Sequence, residues 1–350
     1  MSIEPLGLSV YISTFEQQRA AMEKLRGEAV PVFLSLHISE EFGEAYCQKA
    51  ETACRWLTGN GFRIIADVSP KAAVCFGEQD VAQLAERLGI WALRLDYGFS
   101  AEEICRLAQK LPLVLNASTV SDEVARQALR CNRSVMAMHN FYPRPETGLD
   151  RGYLTARTKA LQALGLRVLA FVPGDTAFRG PLHLGLPTLE EHRGLPPSVG
   201  YADLVVRCGM DGVFAADPGV SQAEIQRTGR YCRHGVWELP ARLLPECSSL
   251  YGRVFTNRPD SPGRLIRFAE SREYSCFGGD VAPLPPAPRK RGAVTMDNSG
   301  YGRYSGEIQL MRDELPPDPR VNVIGQLAPG YELLADCILP GGRFALVPQG

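Results

Sequence analysis

The stretch Trp91-Ala92-Leu93-Arg94-Leu95-Asp96-Tyr97, continued by Gly98-Phe99-Ser100-Ala101-Glu102-Glu103, contains the repeating plan of this chain. An apolar run ends in a carboxylate. Ser100 then offers an N-cap, and two acids follow where the first turn of a helix favours negative charge. The apolar runs Leu6–Ser13, Pro31–Ser39, Arg63–Ser69, Trp91–Tyr97, Leu113–Ser118, Ser134–Tyr142, Arg167–Pro173 and Gly212–Asp217 follow the same plan. Between them, Phe15–Arg26, Glu41–Asn60, Gln79–Leu88, Ala101–Leu111, Asp122–Arg130 and Thr155–Leu164 place apolar residues at three- and four-residue steps, the period of an amphipathic helix. Ser121 repeats the cap seen at Ser100, and Gly61, Gly89 and Gly165 stand where helices should stop.

Strand and helix in strict alternation require right-handed crossovers and a parallel sheet. No Gly-rich turn follows the first run, so the fingerprint of a dinucleotide-binding open sheet is missing. The alternation also runs without a break. The expected fold class is therefore α/β, with an N-terminal (β/α)8 TIM barrel. Such a barrel gathers the ends of its strands at one face, where active sites sit. The residues gathered here are His37, Asp67, Asp96, Asn116, His139, Asn140 and Asp217.

The composition changes near Trp237–Pro245. Beyond it, Gly252–Thr256, Ala293–Asp297, Glu307–Met311, Val321–Gln326 and Arg343–Val347 read as strands separated by turns and Pro-rich loops. The expectation is a barrel over residues 1–238 and a small antiparallel β-domain over 239–350.

The 350 residues carry a net charge of −1, which gives no global pull toward nucleic acid or an anionic membrane. No apolar run is long enough to span a bilayer, and the start lacks the pattern of a secretory signal. Ten cysteines occur singly, with no Cys-x-x-Cys pair, as expected of reduced thiols in the cytoplasm.

Asp67 and Asp96 follow apolar residues, where a carboxylate needs a partner or a polar pocket. Arg94, two residues before Asp96, shares its strand face. Asp217 precedes Pro218-Gly219 and serves either the site or the turn. After the sixth run, His139, Asn140, Tyr142 and Arg144 lie among aromatic and proline residues, a mixture suited to stacking on a sugar ring and bonding its hydroxyls. The long loop Pro173–Pro197 carries Arg179 and Arg193, both able to hold a phosphate bidentately. It also carries Glu190, a candidate general acid, and Glu191, which with Thr188 reads as a capping box. A glycosidase needs two carboxylates about the scissile bond, and Asp67, Asp96 and Glu190 are the candidates.

Several of these stretches carry a family resemblance. They are Leu93–Ser100, Leu115–Thr119, His139–Pro145 with Thr147-Gly148-Leu149, Arg179-Gly180-Pro181, Gly185–Glu190 with His192-Arg193, Met296-Asp297-Asn298 and Tyr301–Glu307. Together they resemble the bacterial 6-phospho-N-acetylmuramidases over essentially the whole chain. The resemblance implies a barrel followed by a cyclophilin-like β-domain. It also implies hydrolysis of the β-1,4 bond of 6-phospho-N-acetylmuramyl-N-acetylglucosamine during cell-wall sugar recovery. One departure is Tyr11-Ile12-Ser13-Thr14, where relatives are expected to carry a proline and an acid.

The expected roles are then as follows. Arg179, Arg193 and Arg144 hold the phosphate and the lactyl carboxylate. Asn116, His139, Asn140 and Tyr142 position the sugar, with Asp217 beside them. Glu190 protonates the leaving oxygen. Asp96 or Asp67 attacks, activates water or orients the acetamido group. Asn298 and Arg303 belong to a segment expected to cover the site. No cofactor or metal is called for, the partner is a phosphorylated disaccharide, and a homodimer is left open. The alternatives are a 6-phosphoglycosidase for another disaccharide, a metal-dependent hydrolase using His37, Asp67, His139 and Asp217, and a sugar-phosphate sensor without turnover. A pyridoxal-phosphate enzyme is disfavoured because no lysine ends a strand.

Overall fold

The computed structural model describes residues 4–27, 30–36, 44–271 and 281–349. The chain forms two compact units, Met1–Ile225 and Gln226–Gly350.

The first unit is a closed parallel barrel of β1 (Gly7–Val10), β2 (Pro31–Ser35), β3 (Arg63–Val68), β4 (Ala92–Leu95), β5 (Leu113–Asn116), β6 (Met136–Met138), β7 (Arg167–Val172) and β8 (Gly212–Ala215). Each strand falls inside one of the eight apolar runs. The helices of this unit are α1 (Phe15–Glu23), α2 (Glu44–Gly59), α3 (Pro70–Cys75), α4 (Val81–Leu88), α5 (Ala101–Ala108), α6 (Asp122–Cys131), α7 (Arg151–Ala163) and α8 (Pro197–Val206), and the chain passes into the second unit within α9 (Gln222–His234). α3 and α8 both start at a proline, which suits the first helical turn. α8 is buried almost throughout, so it lacks the polar stripe that marks a surface helix.

Caps act as the local sequence directs. Ser100 accepts from the Glu103 amide while the Glu103 carboxylate accepts from the Ser100 amide, a complete capping box. Ser121 accepts from the Val124 amide. Gly89 ends α4 in the left-handed region at φ 66°, where a side chain would be strained.

The barrel interior is packed with apolar side chains that include Phe33, Ile65, Val114, Met136, Leu169, Phe171 and Phe214. Phe33 and Phe141 both meet Phe171 edge-on, with centroids 5.1 and 5.2 Å apart. This aromatic layer fills the barrel beneath its mouth. Gly7 admits the Phe214 ring, because a Cβ there would lie 2.3 Å from it.

Register then sets the site. Ser35 pairs with Asp67 across β2 and β3, and Asp67 with Arg94 across β3 and β4. Neighbours in register on parallel strands point the same way, so one apolar layer is succeeded by a polar one.

The second unit holds one sheet of β9 (Val236–Leu243), β10 (Val254–Thr256), β11 (Leu265–Arg267), β12 (Ala293–Asp297), β13 (Ile308–Met311), β14 (Val321–Leu327) and β15 (Arg343–Pro348), in the order β10-β15-β9-β14-β12-β13-β11. The expectation of an antiparallel domain is corrected here. β15 runs parallel to β9 from Arg343↔Val236 to Pro348↔Ala241, so the sheet is mixed. Strand direction depends on which strands meet, and local patterning does not carry that information.

Candidate active site

A cavity of about 260 Å³ opens at the carboxyl ends of β2, β3, β4 and β7, lined by Phe33, Ser35, Asp67, Arg94, Asp96, Asn140, Phe141, Tyr142, Phe171 and Arg179. Arg94 organises it. Its Nη1 donates to Asp67 Oδ1 at 2.7 Å and lies 3.6 Å from Asp96 Oδ1. Its Nη2 donates to Asn140 Oδ1. The Arg94 side chain is 5% exposed, that of Asp67 10% and that of Asp96 26%. Two buried charges of opposite sign in direct contact are far less costly than either alone, so Arg94 and Asp67 hold each other in place. Asp96 is the carboxylate that reaches toward solvent. Asn116 Nδ2 donates to Asp96 Oδ1 at 3.3 Å, and its own Oδ1 accepts from the Ser118 amide, which sets the amide's orientation.

Arg179 enters the cavity from the loop after β7. Its guanidinium lies 4.6 Å from the centre of the Tyr11 ring and 5.9 Å from that of Phe141. Among the described residues, no carboxylate side chain lies within ion-pair distance of it. Tyr11 is itself buried and donates to the Ala216 carbonyl at 2.6 Å. Burial pushes its phenol well above the ordinary range, so the ring stays neutral beneath the cation.

Asp217 positions this arginine. Its Oδ1 accepts from the Arg179 amide at 2.9 Å, and its Oδ2 from the amides of Gly174 and Leu186 at 2.9 and 3.1 Å. Three amides on one carboxylate fold the β7 loop around it. Burial raises its pKa despite those bonds. Asp217 is thus a loop organiser and not a lining residue of the cavity.

The geometry corrects three expected roles. Glu190 is clamped by Arg193, with Nε to Oε1 at 2.6 Å and Nη2 to Oε2 at 2.8 Å, and it also accepts from the Glu146 and Gly148 amides. Arg193 and these amides hold its pKa at about 2, so at neutral pH it has no proton to give a leaving oxygen. Arg193 spends its remaining donors on the carbonyls of Gly185, Leu184 and Tyr142 at 2.7, 3.3 and 3.0 Å, so all five are engaged and none is left for a phosphate. The pair staples the β6 loop to the β7 loop. His139 is fully buried, with Nε2 3.1 Å from the Thr158 hydroxyl on α7. Burial, reinforced by Arg157, lowers its pKa to about 4. It faces the helix layer, away from the cavity, because successive residues at a strand end point to opposite sides.

Other expected residues fall as follows. Tyr142 and Asn140 line the cavity, while Arg144 is exposed on the β6 loop and does not. Thr188 is not part of a capping box. Its hydroxyl accepts from the Phe171 amide and donates to the Asn140 carbonyl, both at 2.9 Å. Glu191 pairs with Arg151 instead. In the second unit, Asn298 is buried and donates to the Pro319 carbonyl and Asn322 Oδ1, each at 2.9 Å, while Arg303 is exposed and donates to the Tyr304 hydroxyl. His37 lies outside the described residues. Among the described residues, no three His, Cys, Asp or Glu side chains stand together as metal ligands.

Sequence reasoning missed Tyr11 and the central place of Arg94. The signal for Arg94 was an arginine inside an otherwise apolar strand, which must have a buried acid to meet. Tyr11 carried no signal of its own.

A closed barrel with two carboxylates on one guanidinium at its mouth has the equipment of a barrel glycosidase. A model of the 6-phospho-N-acetylmuramidase N-terminal region matches residues 6–230, and one of the C-terminal region matches residues 239–347. The chain belongs to the 6-phospho-N-acetylmuramidase family and is a glycosidase. Among solved structures, a conserved protein of unknown function from Enterococcus faecalis aligns with a TM-score of 0.85 and 30% identity, over 99% of this chain and 97% of that one. An uncharacterized protein from B. cereus aligns with a TM-score of 0.79 and 25% identity, over 99% of this chain and 100% of that one. No curated protein matches the chain.

Proposed function

We propose that this glycosidase hydrolyses the β-1,4 bond of 6-phospho-N-acetylmuramyl-N-acetylglucosamine in the recovery of cell-wall sugars. The observation that carries the reading is Arg179. Its guanidinium stands on two aromatic rings, with no carboxylate in ion-pair contact among the described residues, in the cavity that holds both carboxylates. The 6-phosphate would complete that cation with charge-assisted hydrogen bonds. A sugar phosphorylated on uptake is met in the cytoplasm, and this reading places the enzyme there.

Asp96 is the proton-transfer group. Asp96 passes its proton to the bridging oxygen as the bond from that oxygen to C1 breaks. Water then adds to C1 and returns a proton to Asp96. Asp67, held by Arg94, faces the positive charge that develops at the anomeric carbon. Arg94, shared by both carboxylates, keeps them in fixed relation through the cycle.

Proton NMR of the reaction mixture tests the reading. The phosphorylated disaccharide should give free N-acetylglucosamine and the 6-phosphorylated muramyl sugar, and the unphosphorylated disaccharide should react far more slowly. Equal rates on both, or cleavage of neither, would overturn it.

A further inference from the structure

A second cavity, again of about 260 Å³, opens at the ends of β4 and β5 beside the first turns of α5 and α6. Its lining includes Tyr97, Phe99, Ile104, Asn116, Thr119 and Val124. Asp96 belongs to its wall and also to the wall of the cavity that holds Arg179.

The two spaces differ in charge. The first carries Arg94 and Arg179. The second has no lysine or arginine in its lining, which is apolar and hydroxyl-bearing around the Asn116 amide. Each falls just below the roughly 300–1,000 Å³ of pockets that enclose drug-sized ligands, a size suited to one sugar ring.

We propose that the second cavity is the subsite for the uncharged sugar of the substrate, so that Asp96 stands at the glycosidic bond between two subsites of opposite character. The proposal rests on the phosphoglycosidase reading above. The anionic ring is drawn to the arginine side, where its charge is met. The neutral ring gains nothing there. On the other side, Tyr97, 57% exposed, offers its C–H faces an aromatic surface. Ile104 and Val124 offer an apolar wall for an acetamido methyl. Asn116 donates to Asp96 Oδ1 from the second cavity's own wall, so it orients the carboxylate toward the junction.

The test compares two substrates: the 6-phosphorylated disaccharide, and the same phosphosugar as its glycosyl fluoride, which has no second ring. The variants are Tyr97→Ala and Thr119→Trp. Thr119 is exposed on a turn, so the bulky ring fills the cavity without entering the core. Each variant should lower kcat/KM for the disaccharide about tenfold or more, the scale of one lost pocket contact. Each should change the fluoride reaction less than about twofold. Equal losses on both substrates, or no loss on the disaccharide with either variant, would overturn the subsite while leaving the phosphoglycosidase reading intact. Failure of the unaltered enzyme to cleave either substrate would overturn both.

Discussion

Arg94 Nη1 lies 2.7 Å from Asp67 and 3.6 Å from Asp96, so one guanidinium nitrogen ties together the two carboxylates of the candidate site. The sum of these distances limits the separation of the two Oδ1 atoms to about 6 Å, close to the ~5–5.5 Å found between carboxyl groups of retaining enzymes. Arg94→Ala removes the buried cation that meets Asp67 at 2.7 Å. The expected result is a loss of about 3–5 kcal/mol in stability together with loss of turnover. Asp96→Asn should instead keep the melting temperature and lower kcat about a hundred- to ten-thousand-fold. Thermal melts and steady-state kinetics on both variants separate the two effects. A fully active Asp96→Asn enzyme would remove Asp96 from the chemistry.

Arg179 should act on binding. Arg179→Ala is expected to cost about 1.5–3 kcal/mol toward a phosphorylated substrate, the worth of a hydrogen bond to a charged group. It should cost little toward an unphosphorylated one, so the preference between them collapses. Arg179→Lys should recover only part of it, because an ammonium cannot make the bidentate contact. Competition by inorganic phosphate, weakened in both variants, checks the assignment without relying on turnover.

The clamp between Glu190 and Arg193 predicts a different pattern. Glu190→Gln retains the shape of the side chain but removes the charge that meets Arg193 and two amides. It should lower the melting temperature and activity modestly, and leave the shape of the kcat–pH profile unchanged. Loss of the alkaline limb in this variant would restore Glu190 as the general acid.

In the barrel, acid should remove the stabilising contributions of two groups in turn, and the signs follow from proton linkage. His139 has an ordinary pKa of 6.5 and about 4 in the folded chain. Between these values the unfolded chain binds a proton that the folded chain refuses, so stability falls as pH drops from 6.5 toward 4. Glu190 contributes stability in full above its ordinary 4.5, and loses it as pH falls through about 2. The difference in urea-unfolding stability between the parent and His139→Gln should fall as pH drops from 7 toward 4, which isolates this contribution from groups that titrate the other way.

Asp297 in the second unit predicts the opposite slope. Burial, with Glu307 nearby, raises its pKa from 3.8 to about 7. The folded chain therefore holds a proton that the unfolded chain releases, and stability is lost as pH rises from about 4 to about 7. Asp297→Asn should stabilise the protein at pH 8 by on the order of 2 kcal/mol and have little effect at pH 4. Melts at the two pH values decide it.

Much of the candidate site was legible one residue at a time. Asp67, Asp96, Asn116, Asn140, Tyr142 and Arg179 were visible as polar groups at strand ends or in the following loops, and the structure brings them to the barrel mouth. What could not be read was their pairing. Glu190 and Arg193 looked like an acid and a phosphate ligand because each was weighed alone. Three residues apart on a short helical turn, they satisfy each other. His139 and Asn140 are adjacent in sequence yet face opposite sides of the barrel wall.

By itself, the sequence determined the alternation that closes into a barrel, since periodicity, N-caps and glycine stops act within a few residues of where they are written. It also placed carboxylates and arginines where apolar runs end. Only the tertiary structure decided which of them meet. The contact between Arg94 and Asp67 depends on the register of β3 against β4. The perch of Arg179 on Tyr11 depends on closure of the last strand against the first. Such contacts join residues far apart in the chain, and their geometry is set by packing that no local pattern encodes.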